Sequence, residues 1–423
     1  MLQKLRYNGS PMLRFLTAGE SHGPALTVIV EGVPAGLLLT EDQIAADLAR
    51  RQLGYGRGRR MAIERDRAEI LAGVRRGETI GSPIAMLIRN RDWPNWQHTM
   101  SVGTEPAVDA GGAKRAPVTR PRPGHADLAG GIRYERDDLR DILERASARE
   151  TAARVAAGAV ARAVLARFGI EVSSHVTRIG AAGIDPAEPV PFDRIRALAA
   201  DDDVRCVDPS TAAAMRAGID DAKAKGDTVG GAFEVVAHGV PPGLGTYAQW
   251  DRKLDGRLAQ ALMSIHAIKA VGIGLGPEAG ARPGSAVHDE ILPAEGNPTG
   301  TIPAIRRPTN RAGGLEGGVT NGEDVRVSAW MKPISTLMKP LRSVDLATGQ
   351  VEEAAIERSD VCAVPAAAVV GEAMVCLVLA DALVEHLGGA TIAAMEAAHA
   401  RLTARLATLV PAGPGARQRS AAE

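Results

Sequence analysis

Along the 423-residue chain the spacing of hydrophobic positions changes several times, and each change marks an element. "LRFLTAG" (13–19) and "ALTVIVEGVPAG" (25–36) are β-rich runs on either side of a Gly-Ser-His turn and read as two strands. From 40 to 54, "TEDQIAADLARRQLG" shifts to helical spacing. Thr40 and Gln43 fit a capping box there, and Gly54 suits the stop. A polar, proline-rich loop runs from about 89 to 125. "SARETAARVAAGAVARAVLARFG" (147–169) predicts a long helix, with Ser147 and Glu150 as a second capping box and Gly169 just past its end. "EVVAHGVPPGLG" reads as a strand entering a turn, and "LDGRLAQALMSIHAIKAV" (254–271) as an amphipathic helix. Residues 364–389 are apolar over a length that spans a bilayer. Glu372, Asp381 and Glu385 interrupt the run, and charges at such depth are costly in lipid, so a helix buried in a soluble core is the better reading.

These elements show no regular βαβ rhythm. Short strand pairs with Gly/Pro turns fall between helices, which predicts the α+β class. "GVPAGLLL" at 32 and "GVPPGLGT" at 239 hint at a duplicated unit. G-V-P-x-G is also a common turn, and that is the reading preferred here. Composition narrows the function. Hydrophobic residues make up 45% of the chain, enough for a large core, and Lys+Arg and Asp+Glu are both 50, so no global charge draws it to nucleic acid or a membrane surface. Aromatics at 3% are too few for base-stacking platforms. Cys206, Cys362 and Cys376 lie far apart without a C-x-x-C, which fits a reducing, cytoplasmic setting with no disulfide framework and no zinc site. "MLQKLRYNGSPM" has no apolar signal core. Ordered patterning begins near Met12, so 1–11 reads as an extension, 12–400 as one catalytic domain, and 401–423 as a tail, mobile from about 409.

Candidate chemistry sits in the turns. Gly19-Glu20-Ser21-His22-Gly23 matches the G-x-S-x-G nucleophile elbow of serine hydrolases. An elbow needs a strand, a turn and a helix; here a second strand follows. Arg50, Arg51, Arg57, Arg59 and Arg60 surround a glycine-rich loop that can bring several guanidinium forks onto one anion, with a non-catalytic anion or RNA site as the alternative. "TRPRPGHAD" places His125 beside Arg120 and Arg122, and two turn histidines among arginines suit an oxyanionic substrate. In "ERASARETA", Ser147 at a helix start, with Arg145 and Arg149, is a candidate anion site. Lys332, Ser335 and Thr336 around a proline turn also suit phosphate. "KAVGIGLGPEAG" mimics a dinucleotide fingerprint, but the segment before it reads as helix and none clearly follows, so a Rossmann site is rejected. Asp360 beside Arg358 is either an ion pair or a base.

Taken together, "GESHG", "RRQLGYGRG", "RPGHAD", "RASARETAARVAAG", "HDE", "NRAGGLEGGVTNG", "MKPIST" and "RSDVCAVPAA" resemble the chorismate synthase family, in its order and over roughly residues 12 to 400, most nearly its actinobacterial-type members. The resemblance implies a β-α-β sandwich with a helical core between antiparallel sheets, and a homotetramer. It implies a 1,4-anti elimination of phosphate from 5-enolpyruvylshikimate-3-phosphate, dependent on reduced FMN without net redox. NADPH or a separate flavin reductase is the implied source of reduction. By the same resemblance, Arg145, Ala146, Ser147, His266, Ala267 and Gly317 match FMN-contacting positions, as do Lys332, Pro333, Ile334, Ser335, Thr336 and Arg358. Arg51 and Arg57 match arginines at the site's mouth, tied to substrate phosphate or NADPH, and Arg149 adds charge beside them. His22 and His125 match the catalytic histidines, one protonating the leaving phosphate and one keeping the flavin protonated. Ser21 orients neighbouring groups, and Asp360 acts with the flavin as base. The chain departs from the family pattern at Ala270, Gly272 and Leu275, and at His266, where Asn or Gln is usual. Residues 291–309 form a longer loop than usual, expected to be mobile. These departures bear on flavin affinity more than on the reaction type.

Overall fold

The computed structural model describes residues 13–58, 65–104, 116–185, 189–356 and 360–409. The N-terminal extension, Arg59, Arg60, Arg358 and the tail beyond 409 lie outside the described residues.

The first half begins with strands β1 (Arg14–Ala18) and β2 (Ala25–Glu31), then helix α1 (Glu41–Gln52), then strands β3 (Ala68–Ala72) and β4 (Ile84–Arg89). Thr40 makes the expected capping box with Gln43. After helix α2 (Asp127–Tyr134) comes the long α3 (Thr151–Ala166). The second half runs β5 (Glu171–Ile179), β6 (Gly231–His238), α4 (Leu254–Met263), β7 (Ile268–Ile273), β8 (Val325–Met331) and α5 (Val364–Leu387). All pairings between these strands are antiparallel, in the orders β1-β2-β4-β3 and β5-β6-β8-β7, with a short strand Ala182–Gly183 added beside β5. Setting aside inserted helices (α2 in the first half, Phe192–Arg196 and Pro209–Ala224 between β5 and β6 in the second), each half is strand–strand–helix–strand–strand–helix, with the same strand order in its sheet. The two G-V-P-x-G stretches follow the second strand of each half, where Gly32 and Gly239 take φ of 84° and 76°. This corrects the reading of their likeness as a common turn: a repeated topology accompanies it.

The α+β sandwich follows from alternation. β2 buries Leu26, Val28 and Val30 on one face and exposes Thr27, Ile29 and Glu31 on the other. β6 buries Phe233, Val235 and Ala237 inward. Between the sheets lie the helices. A Cβ on Gly158 of α3 would sit 2.3 Å from the Cβ of Ala373 on α5, so the two helices cross with almost no side chain between them. Gly371 of α5 likewise admits the ring of Phe233. α5 is long and apolar enough to cross a membrane, yet it is almost wholly buried in this layer. Its Glu372 accepts hydrogen bonds from Arg50, Arg162, Arg205 and Ser174, which is how an ionised carboxylate is kept in the core.

Four local expectations change. The segment 254–271 is helix only to Met263; Ile268–Ile273 is a strand paired with β8. The glycine-rich "GIGLG" therefore does follow a strand, but antiparallel and with 3₁₀ turns after it (Gly276–Ala281), so the Rossmann reading fails for that reason instead. Ser147 caps a 3₁₀ turn, Ala148–Glu150, by accepting from Arg149 N–H, while the side chain of Glu150 turns to Thr17 and Arg154; no capping box forms. In the 291–309 segment Leu292–Pro293 pairs with Ile305–Arg306, and Thr301 N–H donates to Gly322 O. The helix Ile392–Ala407 runs through residue 400 without a break.

Candidate active site

The Gly-Ser-His turn joins β1 to β2 and is clamped from both sides. Asn90, at the end of β4, donates from Nδ2 to the carbonyls of Ser21 (3.1 Å) and Gly23 (3.0 Å). Ser21 N–H donates to Glu144 O at 2.9 Å. Arg145 reaches back to Gly19 O, Thr17 O and Thr17 Oγ1. The hydroxyl of Ser147 donates to Ser21 Oγ at 3.3 Å. His22 stacks on Trp96 with centroids 3.8 Å apart, and its Nδ1 lies 2.9 Å from both oxygens of Glu144. Burial opposes ionisation of Glu144, but the hydrogen bonds from His22 and the charge of Arg140 outweigh it and hold the carboxyl below the usual range. Strand–turn–strand geometry here is not a nucleophile elbow, so the serine hydrolase reading falls.

A second group forms around His125. Its Nδ1 lies 2.5 Å from Asp127 Oδ1 at the start of α2, and Arg122 Nε donates to the other oxygen at 2.8 Å. Burial raises the Asp127 carboxyl, yet these bonds from His125 and Arg122 win and lower it strongly. Arg122 Nη1 also donates to Thr336 Oγ1 at 3.1 Å. Lys332 Nζ donates to Gly124 O at 2.7 Å, and its N–H to Ala267 O at 3.0 Å. The His125 turn, the Lys332–Thr336 loop and residues 266–267 therefore meet. Pro333 is exposed, and Ile334 O accepts from Thr228.

The arginines arrive from α1. Arg51, in its last turn, donates from Nε to Thr151 Oγ1 and from Nη2 to Ala148 O, both at 2.9 Å. Asp66 accepts from Arg149 Nη1 at 2.5 Å and faces Arg51 Nη1 at 3.7 Å, so two buried arginines share one carboxylate. Arg57 Nη1 pairs with Asp360 Oδ2 at 2.9 Å, and Gly58 N–H donates to Asp360 Oδ1 at 2.7 Å.

His266 links these groups. Burial lowers its imidazole most; Glu150 opposes, and Arg154, His125 and Arg51 lower it further, to about 4. It is a neutral ring at neutral pH, and its buried Nδ1 has no hydrogen-bond partner among the described residues. It borders an open cleft of about 370 Å³ shared with Phe15, Leu16, Thr17, Arg145, Glu150, Arg154 and Ser264. Ala146 lies between Arg145 and Ser147, half-buried. Gly317 does not join the cluster. It sits in the hairpin Leu315–Thr320, whose Gly318 O accepts from Leu254 N–H at the start of α4, whereas His266 follows the end of that helix.

Sequence reasoning missed the acids: Glu144, Asp127, Asp66 and Glu150 hold the histidines and arginines in place. Asp127 had a signal, two residues after His125 in "RPGHAD". Glu144 is 122 residues from His22, and nothing local announces the pairing.

Two histidines on buried acids, Arg51 from α1 and Arg149 from the turn before α3, and a Lys-Ser-Thr loop in an α+β sandwich suit proton transfer to an oxyanionic substrate and neutralisation of its charge. Residues 13–384 match the family described as Chorismate synthase. The chain belongs to the chorismate synthase family. It is 60% identical over 378 residues to a chorismate synthase of Moorella thermoacetica, covering 89% of this chain and 95% of that one. It is 56% identical over 379 residues to one from Geobacter sulfurreducens (89% and 95%) and 55% over 386 residues to one from Salinispora tropica (90% and 96%). A crystal structure of chorismate synthase matches with a TM-score of 0.73 at 43% identity, covering 94% of this chain and 99% of that one.

Proposed function

We propose that residues 12–400 form a single catalytic unit that eliminates phosphate from 5-enolpyruvylshikimate-3-phosphate to give chorismate, with reduced FMN bound at the cleft beside His266. Chorismate formation, a carbon–oxygen lyase reaction of the shikimate pathway, is the activity of its family. The observation that carries the residue assignment is the convergence of His125, the Lys332–Thr336 loop and Ala267 next to a buried, orphaned imidazole nitrogen.

Those residues fit a flavin. An orphaned polar atom calls for a partner, and Phe15 and Leu16 offer apolar surface beside the donors of Arg145 and Arg154. FMN would be held by Arg145, Ala146, Ser147, His266, Ala267 and the Lys332–Thr336 loop, with Gly317 and Arg358 contributing from outside this cluster. It would supply a transient electron without net redox. Arg51, Arg57 and Arg149 neutralise the departing phosphate oxygens, where charge builds as the bond breaks; the same arginines suit NADPH as a reductant. His22 and His125 exchange the protons that the leaving group and the reduced ring require. Ser21, fixed by Asn90 and Glu144, orients the His22 turn. Asp360, placed by Arg57 and Gly58, takes the substrate proton. The unit works as a cytoplasmic homotetramer, reduced by NADPH or by a separate flavin reductase.

The test is anaerobic. Purified protein, chemically reduced FMN and 5-enolpyruvylshikimate-3-phosphate should release phosphate and form chorismate, and omitting FMN should stop both. Equal release with and without FMN would overturn the reading.

A further inference from the structure

Both site histidines carry the same device, and the family resemblance gives its acids no role, although Asp127 closes the RPGHAD motif. Nδ1 of His22 is 2.9 Å from each oxygen of Glu144; Nδ1 of His125 is 2.5 Å from Asp127 Oδ1. The two acid side chains are 0% and 1% exposed. Each is braced by an arginine, Arg140 Nη1 on Glu144 at 3.0 Å and Arg122 Nε on Asp127 at 2.8 Å. The arrangements arise from unrelated local structure. Glu144 comes from 122 residues away and also accepts the backbone N–H of His22, while Asp127 is two residues from His125 at a helix start. The same Nδ1–carboxylate pairing is thus reached by two routes; at His125, Arg122 Nη2 also stands 3.1 Å from Nδ1 and 3.4 Å from Nε2, where a donor suits an unprotonated Nε2.

An ionised carboxylate only accepts hydrogen bonds, so the shared hydrogen sits on Nδ1. A ring held this way exchanges protons with its surroundings through Nε2. We propose that Glu144 and Asp127 are positioning residues that impose the same Nδ1–H tautomer on His22 and His125 and so make Nε2 the proton-carrying atom of both. This rests on the reading of the two histidines as proton carriers in the elimination. Trp96, stacked on His22, fixes the ring plane while Glu144 fixes its rotation.

A double-mutant cycle separates positioning from mere structural support. Glu144→Gln should lower kcat at least about tenfold with KM changed by less than about threefold, because the wrong tautomer is lost to proton transfer while binding groups remain. In a His22→Ala background the same change should cost less than about twofold. An undiminished loss in that background overturns the proposal. Asp127→Asn, with His125→Ala, gives the same cycle should Glu144→Gln fail to fold. An activity-free readout is the solid-state 15N spectrum of histidine-labelled protein, assigned with the two alanine variants. Neutral rings are expected to carry their hydrogen on Nδ1 at both positions at mildly alkaline pH, and a neutral ring protonated on Nε2 alone at either one sinks the proposal even in an active enzyme. Failure of the wild type to release phosphate counts instead against the functional reading, with the spectra still deciding the tautomer.

Discussion

At the residue scale, His266 concentrates the chain's own character. The family resemblance leads one to expect Asn or Gln at that position, and this chain places a buried imidazole there, next to Arg51, Arg154 and His125. The folded ring titrates near 4, whereas an unfolded histidine titrates near 6.5. Above about pH 6.5 both states are neutral and His266 contributes no pH dependence; below it the unfolded chain takes up the proton first, so stability drains away down to about pH 4. His266→Asn should therefore gain on the wild type as pH falls from about 7.5 to about 5, read as the difference in Tm; a constant difference refutes the linkage. Beside it, Ser335 and Thr336 are expected to hold the flavin. Replacing both by Ala should weaken FMN binding roughly tenfold in a fluorescence titration, as expected for one or two lost hydrogen bonds. Unchanged affinity removes them from the site. Little of this scale was legible beforehand. Histidines and arginines announce themselves in glycine-flanked motifs, but the acids that aim them belong to other elements. Charge pairing across 83 residues, as between Asp66 and Arg149, leaves no local trace.

At the element scale, periodicity and caps placed β1, β2, α1, α3 and α5, as at Thr40 for α1 and the apolar run of α5, but not β3, β4 or the helices Pro209–Ala224 and Ile392–Ala407. The main misreading was 264–271. Helical spacing continues past Met263, yet Ala267 takes a left-handed φ of 65°, which costs an L residue about 1–2 kcal/mol and ends any helix. Strand pairing with β8 decides the matter, and a long-range pairing is invisible to a local window. That strained residue lies between His266 and the Lys332 N–H it accepts, which is where backbone strain is expected at a working site. The crossing of α3 and α5 gives the sharpest test here. Gly158→Ala forces a methyl to within 2.5 Å of the Ala373 Cα, which no side-chain rotation relieves. The variant should lose about 1–3 kcal/mol in denaturant unfolding; wild-type stability would mean the helices separate easily.

At the scale of the whole molecule, the two halves carry the candidate site residues on equivalent connections. The segment after α1 brings Arg57, and the one after α4 brings His266 and Ala267. The link from β4 to α3 carries His125, Arg145 and Ser147; the link from β8 to α5 carries the Lys332–Thr336 loop and Asp360. Gly317 stands apart, because the ten residues of α4 put about 15 Å between its hairpin and His266. A second copy of the chain could bring its Gly317 hairpin to this cleft, so light scattering should give at least twice the 44.1 kDa protomer, and a monomer would remove Gly317 from the site. The sequence by itself determined the class of fold, the helices that cap and pack locally, and the family, since periodicity, caps and ordered motifs are properties of short windows. Tertiary structure alone decided that the halves repeat, that a strand replaces the end of a predicted helix, and which acid holds which histidine. Those outcomes depend on pairings between distant segments, whose free energy is realised only once the sheets close over the helices.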